Sequence, residues 1–512
     1  MIDDGKQFLG GPPLKTQVCI VGTGQAGITL AWYLLGQGID VTLLEGSRSF
    51  NPSGPNAPVQ NAYQYNENTL LYNGESVGLF ANNEPQFVIQ PTPQVSQGAW
   101  ERERIYGGTS THWGGQARPL DPITFEKRPP AFPGWPITRA DLDPYYAEAC
   151  KFLELYGDYY APDGTAGYNF TAEFWANELG EEVADLDGFD VDMYQFVPSQ
   201  NLQFQARRVG GQTIGQSNAR VILNASLLNI VNQGGSVSEL TVGVMDDNPT
   251  NPTSLGEFTI SADVYVLACG AVANARQLLL SNLGNRYDLV GRHLMGHPIA
   301  NGANAVSVSP TYLTSSERQL LSYQKLSSKY YPVTTVTGLF TPNGEALRGL
   351  EAGSCWFGPS GTVNFYHELI PEYESRIQLS STNDLFGQPQ TRADWVLNAA
   401  EPENFEKLAN LFRASVMAKG GGPVYIGAWD NIQNRMAYNG HHIGTTRMAA
   451  TEQDGVVDRD LKLFEADNLY VAGSSVWASA GISNPTFSIV AFSIRLADHL
   501  TGQLKGAAPV RG

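Results

Sequence analysis

The chain has 512 residues, of which 42% are hydrophobic and 16% are charged. This balance is typical of a large globular protein with one or two domains, and it excludes a disordered chain. Acidic residues outnumber lysine and arginine by 50 to 32, which gives a formal net charge of −18. Because an acidic surface repels phosphate backbones, nucleic acid is excluded as an expected partner.

The cysteines and the N-terminus indicate neither a metal centre nor export. The cysteines are too widely spaced for a metal-binding pair, and no disulfide framework is expected; they are Cys19, Cys150, Cys269 and Cys355. Residues 1–17 lack the basic start and apolar stretch of a signal peptide. No apolar run reaches about 18 residues, the length that a membrane-spanning helix needs. We therefore expect a cytoplasmic protein without a membrane span.

A strand, a glycine-rich turn and a helix follow one another near the N-terminus. The apolar run 18–21 leads into Gly22, Gly24 and Gly27, which have GxGxxG spacing. Gly22 permits a tight turn, Gly24 lets the backbone approach a pyrophosphate, and Gly27 lets helix and strand pack closely. The N-terminus of the following helix offers unpaired N–H groups to phosphates. This pattern predicts a dinucleotide-binding unit.

A second predicted strand, at residues 39–44, completes this unit. It ends at Glu45, where an acid can accept hydrogen bonds from ribose hydroxyls. The unit by itself does not separate FAD from NAD. Residues 47–100, rich in Asn, Gln, Pro and Ser, are too long for an ordinary loop. A lid, an oligomerisation arm and a wrap around the cofactor are all consistent with that segment.

Further along the chain, two glycine-rich turns follow predicted strands. Residues 219–267 alternate in the manner of a β-meander and lead to Gly270, which precedes a helix. Near the C-terminus a strand enters a turn at Gly473, and Pro485 then begins a helix that is apolar almost all round and therefore buried. Between them, residues 301–430 predict a second sheet with helices, including one that starts at Pro402.

Three stretches resemble the glucose–methanol–choline (GMC) oxidoreductases, and within them the pyranose 2-oxidases. GTGQAG at 22–27 is similar to the FAD-binding turn of the family. GGTSTHWGGQ at 107–116 resembles the flavin-attachment loop of pyranose oxidases. HHIGTTRM at 441–448, together with SNPTFSI at 483–489, resembles the C-terminal catalytic segment. The resemblance implies FAD as the cofactor and an enzyme that oxidises an alcohol by hydride transfer to flavin N5.

The implied fold is α/β, with a Rossmann-like FAD-binding domain built from discontinuous segments and an α+β substrate-binding domain. We expect the FAD-binding domain at 10–130, 205–300 and 435–508. The substrate-binding domain is expected at 131–204 and 301–434.

The resemblance also implies the catalytic residues. His441 is the expected base, because hydride loss from an alcohol needs a neutral imidazole to take the hydroxyl proton. Asn484 is its expected partner at the substrate oxygen, although it is also the expected N-cap of the following helix. His442 is interpreted as a core or hydrogen-bonding histidine. His297 is interpreted as a packing residue without a catalytic role.

The expected cofactor-binding residues come from both ends of the chain. They are Gly22, Gly24, Gly27, Glu45, Gly108, Thr109, Ser110, His112, Trp113, Gly114, Gly270, Gly473, Pro485 and Thr486. His112 occupies the position that carries a covalent flavin bond in pyranose oxidases. Those enzymes have a threonine where this chain has Gly114. Because glycine lacks the threonine hydroxyl, the resemblance does not imply that this chain reacts with oxygen as those enzymes do.

Several interpretations of function remain open. The first is oxidation of a sugar or glycoside hydroxyl, with oxygen, a quinone or a protein as electron acceptor. The second is a dehydrogenase for a non-sugar alcohol, and the third is a non-catalytic flavin-binding partner, which His441 and Asn484 disfavour. An NAD-dependent dehydrogenase is disfavoured because it does not need the His112 loop. Several aromatic residues are candidates for a substrate pocket or for ordinary core packing: Tyr330, Tyr331, Trp356, Phe365 and Tyr366.

Overall fold

The fold was obtained as a computed structural model. It describes residues 2–46, 106–111, 113–197, 218–246, 253–300, 306–307, 310–322, 324–326, 334–358, 362–363, 365–426, 436–437 and 440–506. The segment 47–100, His112, Tyr330, Tyr331 and the side chain of Phe365 therefore lie outside the description, and the expectations that concern them stay predictions.

The described segments contain strands and helices distributed along the whole chain. The strands are β1 (Ile2–Asp4), β2 (Leu14–Val21), β3 (Val41–Leu44), β4 (Gln116–Ala117), β5 (Lys127–Arg128), β6 (Phe132–Pro133), β7 (Phe189–Phe196), β8 (Ala219–Leu223), β9 (Ser226–Gln233), β10 (Ser236–Met245), β11 (Ser254–Leu267), β12 (Ile299–Ala300), β13 (Val306–Ser307), β14 (Gln324–Leu326), β15 (Thr334–Pro342), β16 (Cys355–Phe357), β17 (Thr362–Val363), β18 (Phe365–His367), β19 (Arg376–Asn383), β20 (Pro389–Asp394), β21 (Tyr425–Ile426), β22 (Met436–Ala437) and β23 (Leu469–Val471). The helices are α1 (Gln25–Gly36), α2 (Asp143–Leu153), α3 (Ala172–Leu179), α4 (Ala271–Leu280), α5 (Ser315–Leu321), α6 (Gly344–Leu350), α7 (Glu401–Ala418) and α8 (Pro485–Leu504).

The first sheet brings the predicted glycine turns to one edge. Its order is β1-β8-β3-β2-β11-β10-β9, and β23 pairs with the end of β11. Strands β2, β3, β11 and β23 run parallel, and their last residues lie in one row: Val21 opposite Leu44 and Leu267, and Leu267 opposite Val471. In parallel sheets, ligands bind beyond the carboxyl ends of the strands. The turns that follow these four strands therefore meet at a single ligand-binding edge.

The apolar C-terminal helix α8 lies beneath this edge. It begins at Pro485, as predicted, and packs against α1 and α2. Its side chains are buried around most of the circumference, including Phe487, Val490 and Leu500. The prediction of a buried helix that begins at Pro485 is therefore confirmed.

The second sheet has the order β22-β12-β18-β16-β15-β7-β4, with β14 beside β15. Helix α7 packs here through the face predicted from its apolar spacing, and Phe412 stacks on Phe357 at 4.3 Å. Three short strands from ranges expected in the FAD-binding domain, β4, β12 and β22, pair in this sheet. The mixed α/β fold class is confirmed, whereas the domain boundaries stay a prediction.

The described residues include all four cysteines and the helices that could be compared with a membrane span. All four cysteines lie in described segments and form no disulfide bond there, and three of them are buried. Among the helices of the described segments, none combines the length and the apolar composition required to cross a bilayer.

Candidate active site

A cavity of about 500 Å³ opens at the carboxyl edge of the first sheet. Every predicted site residue that the structure describes contributes to its wall except Gly27. Those residues are Gly22, Gly24, Glu45, Gly108, Thr109, Ser110, Trp113, Gly114, His441, Gly270, Gly473, Asn484, Pro485 and Thr486. The fold thus brings the two ends of the chain together at one site, although the individual roles of these residues stay predictions.

The glycine turn before α1 has no room for side chains. Gly22 has a φ of +104°, and a Cβ there would lie 2.5 Å from the carbonyl oxygen of Ala268. A Cβ on Gly27 would lie 2.0 Å from the carbonyl oxygen of Gly22. Gly27 therefore lies behind the cavity wall, where it allows α1 to pack closely on the turn.

Glu45 is tied to this turn through Thr23. The Thr23 hydroxyl donates a hydrogen bond to the Glu45 carboxylate and accepts one from the Gly107 N–H at 3.1 Å. A Cβ on Gly108 would lie 3.2 Å from Cα of Gly24. The backbone of residues 106–111 therefore crosses directly over the glycine turn, which brings two distant glycine motifs to the same cavity.

Three helix N-termini point into the cavity wall. They belong to α1, α4 and α8, whose starts at Gln25, Ala271 and Pro485 all line it. A helix N-terminus carries unpaired N–H groups and about half a positive charge. Three of them at one place favour a ligand with negative charge, even though the chain as a whole is acidic.

Several buried polar atoms of the wall lack a partner among the described residues. They are Nε1 of Trp113 and the amide oxygens of Gln25 and Gln277. Leaving a buried donor or acceptor unpaired costs about 1–3 kcal/mol, so such groups usually have a ligand or water. Both donors and acceptors are present, which fits a polar ligand such as a dinucleotide.

His441 is held against His297 by two extended segments. Met295 and Ile443 exchange backbone hydrogen bonds of 2.9 and 3.0 Å in an antiparallel bridge. His297 lies two residues after Met295, and His441 lies two residues before Ile443. The two histidines are therefore opposite each other, because the segments are antiparallel and side chains on one face recur every second residue. The two Nδ1 atoms are 2.9 Å apart, and Nε2 of His297 lies 3.0 Å from the carbonyl oxygen of Gly481.

The interpretation of His297 as a packing residue without a catalytic role leaves out a contact that the structure shows. Its side chain is buried and contacts the predicted base directly. Sequence reasoning missed it because the two histidines are 144 residues apart. The available indication was its place in VGRHLMGHP, a weaker match to the GMC family.

Burial keeps both histidines neutral. The pKa of His441 is well below its usual value of 6.5, because the ring is desolvated and lies near His297 and His442. Burial also lowers the pKa of His297 to about 4. At pH 7 His441 can therefore accept a proton, as a general base must.

Asn484 and His442 lie on the same cavity wall. Asn484 occupies the N-cap position of α8, but its side chain makes no capping hydrogen bond. The helix start thus uses only the backbone of Asn484 and not its side-chain amide. His442 is buried. Its carbonyl accepts a hydrogen bond of 2.7 Å from the Ser474 hydroxyl, which holds the segment of His441 and His442 against the turn after β23.

The sequence model described as "GMC oxidoreductase" matches residues 371–493, and that described as "FAD binding domain" matches residues 15–62. The comparisons support assignment of the chain to the GMC oxidoreductases. FAD is accordingly the cofactor of this chain, and the glycine turn, the three helix N-termini and the unpaired polar atoms fit it. His112 lies outside the described residues, so the covalent flavin bond stays a prediction.

Similar proteins include two curated relatives. The fructose dehydrogenase large subunit of Gluconobacter japonicus is 26% identical over 276 residues, which are 48% of each chain. The 2-methyl-1,2-propanediol dehydrogenase of Mycolicibacterium austroafricanum is 24% identical over 77% of this chain and 80% of that protein. The first match thus spans about half of the relative's length.

The crystal structure of pyridoxine 4-oxidase from Mesorbium loti has the same fold. It superposes with a TM-score of 0.56 at 15% identity and covers 94% of this chain and 98% of that one. At this identity the similarity establishes the fold alone.

The buried histidines of this chain predict loss of stability in acid. The pKa of His293 is lowered to about 3 and that of His297 to about 4, whereas an unfolded chain has values near 6.5. Below pH 6.5 the unfolded chain therefore binds more protons. The free energy of unfolding should fall by about 1.4 kcal/mol per histidine for each pH unit, down to about pH 4.

The measurement is urea unfolding at pH 7, 6 and 5, compared with His293→Asn. His293 has a φ of +56°, which asparagine tolerates, and it lies outside the cavity wall. This variant should have a shallower pH dependence than the parent chain. Equal slopes in both proteins would contradict a neutral, buried His293.

Proposed function

We propose that this chain oxidises a hydroxyl group of a sugar or glycoside to a keto group in an FAD-dependent reaction, as a member of the pyranose 2-oxidase-like branch. The observation that carries the proposal is the neutral imidazole of His441 on the same cavity wall as Asn484. A base and an amide at the wall of a cofactor site suit the removal of a proton from an alcohol.

The chemistry that FAD supplies when bound is acceptance of hydride from the alcohol carbon. His441 takes the hydroxyl proton on the nitrogen that does not face His297. Asn484 binds the substrate oxygen through its side-chain amide, and its backbone starts α8 without using that amide. The N-terminus of α8 favours negative charge that develops in the cavity.

Aromatic side chains beside the base support a carbohydrate substrate. The ring of Tyr366 lies 6.1 Å from His441 and 5.9 Å from His297. Trp356, which is partly exposed, stacks on Tyr366 at 4.8 Å with an interplanar angle of 15°. Rigid aromatic faces present large amphipathic surfaces at low entropic cost, which suits the apolar faces of sugar rings. The similarity to a fructose dehydrogenase large subunit also favours a sugar.

The test is anaerobic mixing of the purified holoenzyme with a panel of monosaccharides, glycosides, vicinal diols and simple alcohols. We expect at least one sugar or glycoside to bleach the oxidised flavin absorbance within seconds to minutes. The control is a sugar analogue that lacks the reacting hydroxyl. Bleaching by no compound of the panel would contradict the proposed activity.

A second candidate is a dehydrogenase that oxidises a small diol and passes electrons to a quinone or a protein. It is favoured by the similarity to a propanediol dehydrogenase and by Gly114, an exposed residue of the cavity wall where pyranose oxidases have threonine. Bleaching by diols but by no sugar would support it. Admitting air or a quinone to the reduced enzyme then distinguishes an oxidase from a dehydrogenase.

A further inference from the structure

His297 has its two ring nitrogens engaged in different ways. Nδ1 faces Nδ1 of His441 at 2.9 Å, and Nε2 faces the Gly481 carbonyl at 3.0 Å. A carbonyl oxygen can only accept a hydrogen bond, so Nε2 of His297 must carry the proton. In a neutral ring, Nδ1 of His297 is then an acceptor, and Nδ1 of His441 must donate to it.

We propose that His297 is a positioning residue that fixes the tautomer of His441, with the proton on Nδ1 and a free lone pair on Nε2. This inference rests on the proposed function, because it assigns to Nε2 of His441 the task of taking the substrate proton. The nitrogen that a histidine leaves unprotonated is set by the hydrogen bond that the other nitrogen makes. His441 in the opposite tautomer would present a donor to the alcohol and would not act as a base.

The Gly481 carbonyl is itself held in place. It therefore fixes the direction of the hydrogen bonds that run through His297 to His441. The N–H of Gly481 donates to Oε1 of Glu368 at 2.9 Å, and Oε2 of Glu368 forms a fully buried ion pair with Arg128 at 2.7 Å. Gly481 has a φ of +60°, and a Cβ there would lie 2.8 Å from Leu120. Its peptide group therefore has little freedom to turn away from His297.

A doubly protonated His297 would reverse the hydrogen bond between the two Nδ1 atoms, because its Nδ1 would then be a donor. It is disfavoured because the ring is completely buried, and because Glu368, the nearby carboxylate, already accepts from Arg128, Ser354 and Gly481. The lowered pKa of His297, about 4, agrees with a neutral ring at pH 7. A single proton therefore lies between the two Nδ1 atoms, and it is carried by His441.

Two variants separate the acceptor of His297 from its donor. His297→Asn places an amide oxygen near the position of Nδ1 and keeps an acceptor for His441. His297→Gln carries its amide one carbon further, near Nε2, and keeps the donor for Gly481 but loses the acceptor. We expect His297→Gln to slow anaerobic reduction by substrate about 100-fold, with His297→Asn within about tenfold of the parent enzyme. Flavin content is the control for folding.

A measurement on the unmodified holoenzyme provides the second readout. In the NMR spectrum of ¹⁵N-histidine-labelled parent enzyme, His441 should have a protonated Nδ1 and an unprotonated Nε2. In His297→Gln, part of the population should have His441 in the other tautomer, with the proton on Nε2. Equal reduction rates in the two variants, or a protonated Nε2 on His441 in the parent enzyme, would overturn the inference. If His441→Ala still reduces normally, the proposed function fails instead, so the two failures are distinguishable.

Discussion

His441→Ala is expected to lower the rate of flavin reduction by substrate about 10²- to 10⁴-fold while the protein keeps its flavin. The reason is that no other described side chain offers a neutral imidazole paired in this way at the cavity wall. Anaerobic stopped-flow mixing with the best substrate of the panel measures the rate directly. The flavin spectrum before mixing shows that the cofactor is still held.

The matched control is His499→Asn, a histidine replacement on α8 outside the cavity wall. Its ring is 5.8 Å from Tyr470, remote from the paired histidines. We expect its reduction rate to equal that of the parent enzyme. A His441→Ala enzyme that bleaches at the parent rate would remove His441 as the base, whatever the behaviour of His499→Asn.

Gly27→Ala is expected to cost more than about 4 kcal/mol in the free energy of unfolding, and to yield protein without flavin. A methyl group on Gly27 would lie 2.0 Å from the carbonyl oxygen of Gly22, and that oxygen is backbone. Relieving the overlap requires α1 to move away from the turn, which also displaces its N-terminus from the cavity. Urea unfolding and the flavin-to-protein absorbance ratio measure the two effects.

Gly36→Ala provides the control within the same helix. Gly36 is the last residue of α1, and a Cβ there would have nothing within 4 Å. Alanine is favoured over glycine in helices by up to about 1 kcal/mol, so this variant should be neutral or slightly more stable. If Gly27→Ala behaves like Gly36→Ala, the close contact with Gly22 does not limit the fold.

The sequence by itself determined the nucleotide-binding half of the protein. Apolar runs and glycine spacing predicted β2, α1 and the buried helix α8, because the chemistry of a tight turn or a buried strand is written in neighbouring residues. It also predicted the glycine turns after β2, β11 and β23 and the start of α8, all of which line the cavity, since each follows a strand or starts a helix. The family resemblance supplied His441 and Asn484, which local pattern alone did not single out.

The tertiary structure alone decided which residue pairs with His441, the predicted base. His297 and His441 lie in separate extended segments, and only the antiparallel pairing of Met295 with Ile443 brings their Nδ1 atoms to 2.9 Å from each other. The Gly481 carbonyl that fixes the tautomer belongs to a third segment. The N–H of Gly481 donates a hydrogen bond to Glu368, which directly follows β18 of the second sheet. Such contacts depend on register between distant parts of the chain, and periodicity within a segment carries no information about that register.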